Sequence, residues 1–227
     1  MKRSTWLLGA CALGASLSCA AWADVEVPAA APADKPSGTV ELTVRLPHPA
    51  QKLLYVREVI PVKPGPVTLH YPKWIPGDHS PDGPINNIMG LEVSAGGKRI
   101  AWHRDELDRF TFHLTVPQGV QAIEARFQFP SPRRVTSNLV DLTWDHVALY
   151  RAGYPTRTQM FQPNLVVPAD WHYASALETQ KRDGKHIAFK PVPFNTLVDS
   201  PVIAGKHFRK VDVTPPGSSV KRYLDLV

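Results

Sequence analysis

Apolar residues in this chain recur at every second position in short runs, and no segment keeps a helical spacing of them over three turns. Alternation puts one set of side chains on one face of an extended strand, so each run reads as a strand with one buried face. Thr39 to Leu46 sets Val40, Leu42, Val44 and Leu46 on one face. Leu53 to Ile60 and Pro66 to Tyr71 follow, with Pro64-Gly65 turning between them. Met89 to Ser94 and Arg99 to His103 flank Ala95-Gly96-Gly97-Lys98, a hairpin signal. Arg109 to Val116 carries Phe110, Phe112 and Leu114; Val120 to Phe129 carries Ile123, Ala125, Phe127 and Phe129. With Gln118-Gly119 between them, these two read as one antiparallel ribbon.

Later signals are shorter. Leu139 to Leu142 and His146 to Tyr150 read as strands around Trp144-Asp145. Thr158 to Val167 is extended but broken by Pro163, and Asp170 to Leu177 suits a strand or one helical turn capped by Asp170. His186 to Lys190, Leu197 to Val198 and His207 to Val213 are the last strand candidates. The 23 prolines are roughly twice the usual share and favour turns and strands over helices. The expected fold is all-β: an antiparallel β-sandwich or a saddle-like multi-sheet domain with Pro/Gly-rich loops.

Met1 to Ala23 is built like a secretory signal. Lys2 and Arg3 lead, Trp6 to Leu17 is apolar, and Ala21-Trp22-Ala23 is a small-x-small cleavage site. The apolar run is short for a membrane span. The chain is therefore expected to be exported, to the periplasm or beyond the cell. Residues 24–37 are Ala/Pro-rich and aperiodic, a flexible lead-in to one β domain over 38–227. Both cysteines, Cys11 and Cys19, fall within the signal, so the mature chain is expected to have neither disulfides nor thiol chemistry. Loss of Lys2 and Arg3 lowers the formal net charge from +6 to +4. The basic residues are scattered as pairs, without the clustering that nucleic acid requires.

One stretch, from His70 to Gly90, stands apart: it places four prolines and three glycines around Trp74. Such a run is neither a helix nor an interior strand, and Trp74, Ile75 and Ile88 have no use in a disordered loop. It reads as an ordered loop carrying a hydrophobic anchor. Trp74-Ile75-Pro76-Gly77, after Tyr71-Pro72-Lys73, resembles the W-x-P-G element of the amino-terminal domain of the glycyl-aminopeptidase family of zinc metallopeptidases. Where many members continue with a Tyr and an Arg-Asp pair, this chain has Asp78-His79-Ser80-Pro81-Asp82-Gly83-Pro84, which looks like a secreted bacterial branch of the family. Further likenesses follow in order. Leu142 to Tyr150 with Gly153 resembles the family's mid-domain strand pair, and Val167 to Trp171 its L-P-x-x-W element. Thr196 to Gly205 is similar to its D-S-P-x-x-x-G segment, and Tyr223 to Leu226 to the strand that leads into the catalytic domain.

The resemblance implies a β domain that packs against a thermolysin-like zinc domain and touches peptide substrate only indirectly. Trp74, Pro76, Gly77, Asp78 and His79 then form a domain-interface loop. The family's zinc sits in H-E-x-x-H on a helix, and here no His is followed by Glu. The nine histidines contain no pair at i, i+3 or i, i+4. No metal, cofactor or catalytic residue is therefore expected in this chain, which is expected to be inactive alone.

Other groups read as structural. His113 alternates onto the solvent side of its strand. Asp78 and Asp82 supply turn hydrogen bonds, and Asp105-Glu106-Leu107-Asp108 is a charged strand end. Trp144-Asp145-His146 matches part of a triad but lacks a G-x-S-x-G serine. A rival reading is a free-standing secreted module for glycan or peptide, with Trp74, Trp102, Trp144, Trp171, Tyr150 and Tyr154 as a stacking platform. Most of those rings are expected to fill the core instead.

Overall fold

A computed structural model describes residues 36, 38–75, 77 and 79–227. The signal of 1–23, the lead-in of 24–37 apart from Pro36, and Pro76 and Asp78 lie outside the described residues. Strands are numbered here in chain order. The largest sheet runs β13 (Thr179–Asp183), β14 (His186–Phe189), β11 (Met160–Val166), β1 (Thr39–Arg45), β2 (Leu53–Pro61), β8 (Ala122–Pro130), β4 (Met89–Ala95), β5 (Lys98–Ile100), with β15 (Val192–Pro193) on the end of β11. A second sheet runs β10 (Tyr150–Arg151), β3 (Gly65–His70), β7 (Thr111–Val116), β6 (Trp102–Arg104). A third runs β12 (His172–Ser175), β16 (Val202–Gly205), β9 (Leu139–Leu142), and β17 (Arg209–Asp212) pairs with β18 (Tyr223–Leu226). The fold is all-β and multi-sheet, as the alternation implies.

The buried faces follow that alternation. Val40, Leu42 and Val44 of β1, Leu54, Val56 and Ile60 of β2, and Ile123, Ala125, Phe127 and Phe129 of β8 are buried in one core. Phe112, Leu114 and Val116 of β7 enter the same core from the second sheet. β7 and β8 thus lie in different sheets rather than forming one ribbon. β7 pairs with β3 and β6, while β8 pairs with β2 and β4. Each has a wholly apolar inward face, and two such faces are satisfied across a core as well as side by side.

Other expectations need correction for physical reasons. Arg99 to His103 is not one strand: Lys98–Ile100 pairs with β4 in the large sheet and Trp102–Arg104 with β7 in the second. Pro163 does not break its strand, because β14 pairs with residues 164–166 and β15 with 160–161, leaving no partner opposite the proline on that side. Leu197 and Val198 lie in the short helix α1 (Phe194–Val198). His146 belongs to a 3-10 turn over Trp144–Val147, and the strand begins only at Tyr150. Of the two readings of Asp170 to Leu177, the strand is the one observed, over His172–Ser175. Strand β13 carries no apolar signal: Thr179–Asp183 is fully polar and exposed, a charged edge of the kind that resists further pairing. The Gly96-Gly97 hairpin is as expected, with φ of 57° and 78° at its two glycines.

Glu58 is the inward residue between Val56 and Ile60 on β2, and it is 0% exposed. Both carboxylate oxygens accept from the Leu149 N–H, at 3.0 and 3.1 Å. Burial pushes this carboxyl well above its ordinary value, against the opposing pull of that N–H.

Candidate functional site

The Pro/Gly loop is pinned at both ends. Tyr71 is buried, donates its backbone N–H to the Phe110 carbonyl at 2.8 Å, and donates its hydroxyl to the His146 carbonyl at 3.1 Å. Burial, with Asp145 nearby, holds that phenol far above its usual range. At the far end, a side-chain carbon placed on Gly83 would collide with the Pro72 carbonyl oxygen. Lys73 is held by Asp108 at 3.2 Å and lies over the Phe110 ring at 5.5 Å. Ser80 donates to Asp82 at 2.8 Å, the turn bond expected of that aspartate.

Between these anchors the loop presents Trp74, 62% exposed although its neighbours Tyr71, Pro72 and Ile85 are buried. Pro72, Trp74 and Ile75 form one wall of a cleft of about 130 Å3. Tyr150 comes from β10 at the second sheet's edge, Thr156 from the 3-10 turn that follows it, and Phe194, Asn195 and Val198 from α1. Tyr150 and Phe194 lie 5.0 Å apart, and Phe194 packs on Phe161 at 4.8 Å. Asp145 completes the lining; its side chain is 5% exposed and faces His146 Nε2 at 3.4 Å. Burial raises the Asp145 carboxyl, while His146 and the Thr143 hydroxyl pull it down. Trp144 beside it is fully buried and donates Nε1–H to the Ser200 carbonyl at 3.0 Å, which ties the turn to the D-S-P segment.

Of the interface residues expected from sequence, Trp74 thus lines the cleft, while Gly77 sits at a turn with φ of 91° and His79 is exposed outside the lining. Pro76 and Asp78 lie outside the described residues. Phe194, Asn195, Val198 and Thr156 carried no signal, since they approach from elsewhere in the sequence. The six rings of the glycan reading do not assemble into a platform: Trp144 and Trp171 are buried in the core, and Trp102 donates to the Leu91 carbonyl at 3.2 Å and sits edge-on to Phe112. No group of three or more His, Cys, Asp or Glu side chains among the described residues is arranged to hold a metal ion.

A polar strip lies on the second sheet. His113 is half-buried between Thr68 Oγ1, 3.1 Å from Nδ1, and Asp105 Oδ2, 2.9 Å from Nε2. The His113 bond and the N–H groups of Asp108 and Leu107 hold the Asp105 carboxyl down at about 2. Its contribution to stability is present above the ordinary carboxylate range and is lost as pH falls through that value. Replacing His113 with Ala is expected to raise the Asp105 pKa towards its ordinary value, leaving it slightly low through the two backbone bonds. Carbon-detected NMR titration of the carboxyl reads this directly, and an unmoved Asp105 would remove His113 as the main cause.

Residues 41–206 match the family model described as the Peptidase M61 N-terminal domain. Among solved structures, the chain is similar to an aminopeptidase N family protein from Idiomarina loihiensis, at 14% identity and a TM-score of 0.70, over 82% of this chain and 32% of that one. It also aligns with an M1 zinc metallopeptidase from Deinococcus radiodurans at 18% identity and a TM-score of 0.45, over 82% of this chain and 46% of that one. The first likeness is one of fold. The chain spans about a third of the first structure's length and less than half of the second's. A comparison with curated proteins found no match.

Proposed function

We propose a function from one premise: this chain belongs to the Peptidase M61 N-terminal domain family. It is the non-catalytic amino-terminal β domain of an exported, glycyl-aminopeptidase-like zinc metallopeptidase. Its task is scaffolding. It forms one wall of the peptide cleft and buries a surface against a thermolysin-like zinc domain. The sequence contains no H-E-x-x-H, and no donor set for zinc is arranged among the described residues. The donors here do not fit the ion, and no catalytic step is assigned to this chain.

The observation that carries the reading is the family match over 41–206, joined to one exposed tryptophan on a loop pinned at both ends. An indole held out by a stitched loop loses its exposed apolar area only when something covers it, and anchor residues of interfaces are commonly such rings. Sequencing the gene past the Val227 codon tests the premise of a following domain: an in-frame H-E-x-x-H is expected. In that longer protein, Trp74→Ala is expected to lower the melting temperature and disturb peptide kinetics. Unchanged stability together with unchanged kinetics would remove the loop from the interface.

A further inference from the structure

The cleft beneath Trp74 has a composition that docking alone does not explain. Three of its walls are aromatic rings from separate parts of the chain: Trp74 from the loop, Tyr150 from β10 and Phe194 from α1. A fourth is contributed by Asp145, whose side chain is nineteen-twentieths buried. Aromatic faces carry negative charge density, and rings gathered around one acidic group are the arrangement that proteins use to hold organic cations.

The charge balance points the same way. Among the described residues, Asp145 forms no ion pair with a lysine or arginine; it faces His146 Nε2, at 3.4 Å. Arg134, which acts on Asp145 only at a distance, is committed to Asp141 at 2.5 Å. A buried carboxylate without a permanent cation is costly, and a cation entering the cleft would offset that cost. A metal ion suits these walls poorly: they are mainly rings, proline and aliphatic groups, and among the described lining residues Asp145 is the one carboxylate, with no histidine or cysteine beside it. The size also discriminates. At about 130 Å3 the cleft is smaller than the roughly 300–1,000 Å3 of pockets that enclose drug-sized ligands, so it admits a head group or a side-chain end rather than a sugar ring.

We propose that this cleft binds an alkylammonium group, resting against the Trp74 indole and the packed Tyr150–Phe194 pair, beside the Asp145 carboxylate. Two sources offer that chemistry: a free quaternary ammonium compound, or the lysine side chain of a peptide. The inference goes beyond the scaffolding role and is tested on the 227-residue chain itself.

The test uses the 227-residue chain with three probes, followed by calorimetry and tryptophan fluorescence. Choline and N-acetyl-lysine amide are the cations; 3,3-dimethylbutan-1-ol has choline's shape without its charge. At least one cation is expected to bind saturably, about tenfold or more tightly than the alcohol. If choline is the tighter, the source is a free quaternary compound; if the lysine amide is, the source is a peptide. Trp74→Ala is expected to weaken binding about tenfold, and Asp145→Asn by at least as much. Trp74 is exposed, so its replacement leaves the core intact even where Asp145→Asn unfolds the chain. Equal responses to cation and alcohol, no binding of either cation, or full binding by the Trp74→Ala variant would overturn the proposal. None of these outcomes bears on a second domain, so this test and the docking test fail separately.

Discussion

Glu58→Gln is expected to remove a loss of stability that the native chain suffers as pH rises. Glu58 is fully buried and its carboxyl is raised well above 4.5, so the folded chain holds a proton that the unfolded chain releases. Stability therefore falls as pH climbs from the ordinary carboxylate range through the raised folded value, and it is greatest below that window. Glutamine keeps an oxygen for the Leu149 N–H and cannot ionise, so its curve should stay flat where the native one declines. Glu58→Ala separates the bond from the charge. It leaves a cavity and an orphaned buried N–H, and is expected to cost about 2–4 kcal/mol at acidic pH. Urea unfolding across the pH range measures both. A native curve parallel to that of Glu58→Gln would show that this carboxyl does not titrate with folding.

The second large effect is expected at Gly83. Its backbone is not left-handed, so the demand for glycine is one of space: an added methyl meets the Pro72 carbonyl, a backbone atom that cannot rotate away. Gly83→Ala is expected to destabilise the chain by about 1–3 kcal/mol, as overpacking does. For a domain of this size that lowers the melting temperature by roughly 2–4 °C per kcal/mol. The change should also loosen the loop that holds Trp74, so indole emission should shift along with the melting temperature. Gly77 offers a control, because it faces open space and its demand is conformational, with φ of 91°. A Gly83→Ala protein as stable as the native chain would mean the two loop ends are not held together.

The sequence shows which residues face inward, because alternation at period two is a local property. Val40 to Leu46 and Ile123 to Phe129 are buried as their spacing implies. What it does not show is which sheet a strand joins. The chain changes sheets between Ile100 and Trp102, and again between Val116 and Ala122, at points where the pattern continues. Glu58 was legible in principle, since Leu54, Val56 and Ile60 put it on the inner face, yet a charged residue there is read outward by habit. The candidate site divides in the same way. Proline and glycine density marks the Trp74 loop as ordered, whereas the cleft beneath it depends on Phe194 and Val198, which only tertiary packing brings there.

The pairing of β1 with β11 is parallel, with Thr39 opposite Met160 and Arg45 opposite Val166. That one ladder has a consequence for how the chain can be made. Until Val166 is available, β1 has its neighbour β2 on one side and an unsatisfied row of backbone donors and acceptors on the other, and the β13–β14 pair and β15 have no β11 to join. Closing so distant a contact is slow, because the entropy of the intervening chain is lost before any bond repays it. A growing or threaded polypeptide would spend that interval with its first strand half-clothed, vulnerable to pairing with a sister chain. Assembly of the large sheet is thus a late event, timed by the arrival of its middle.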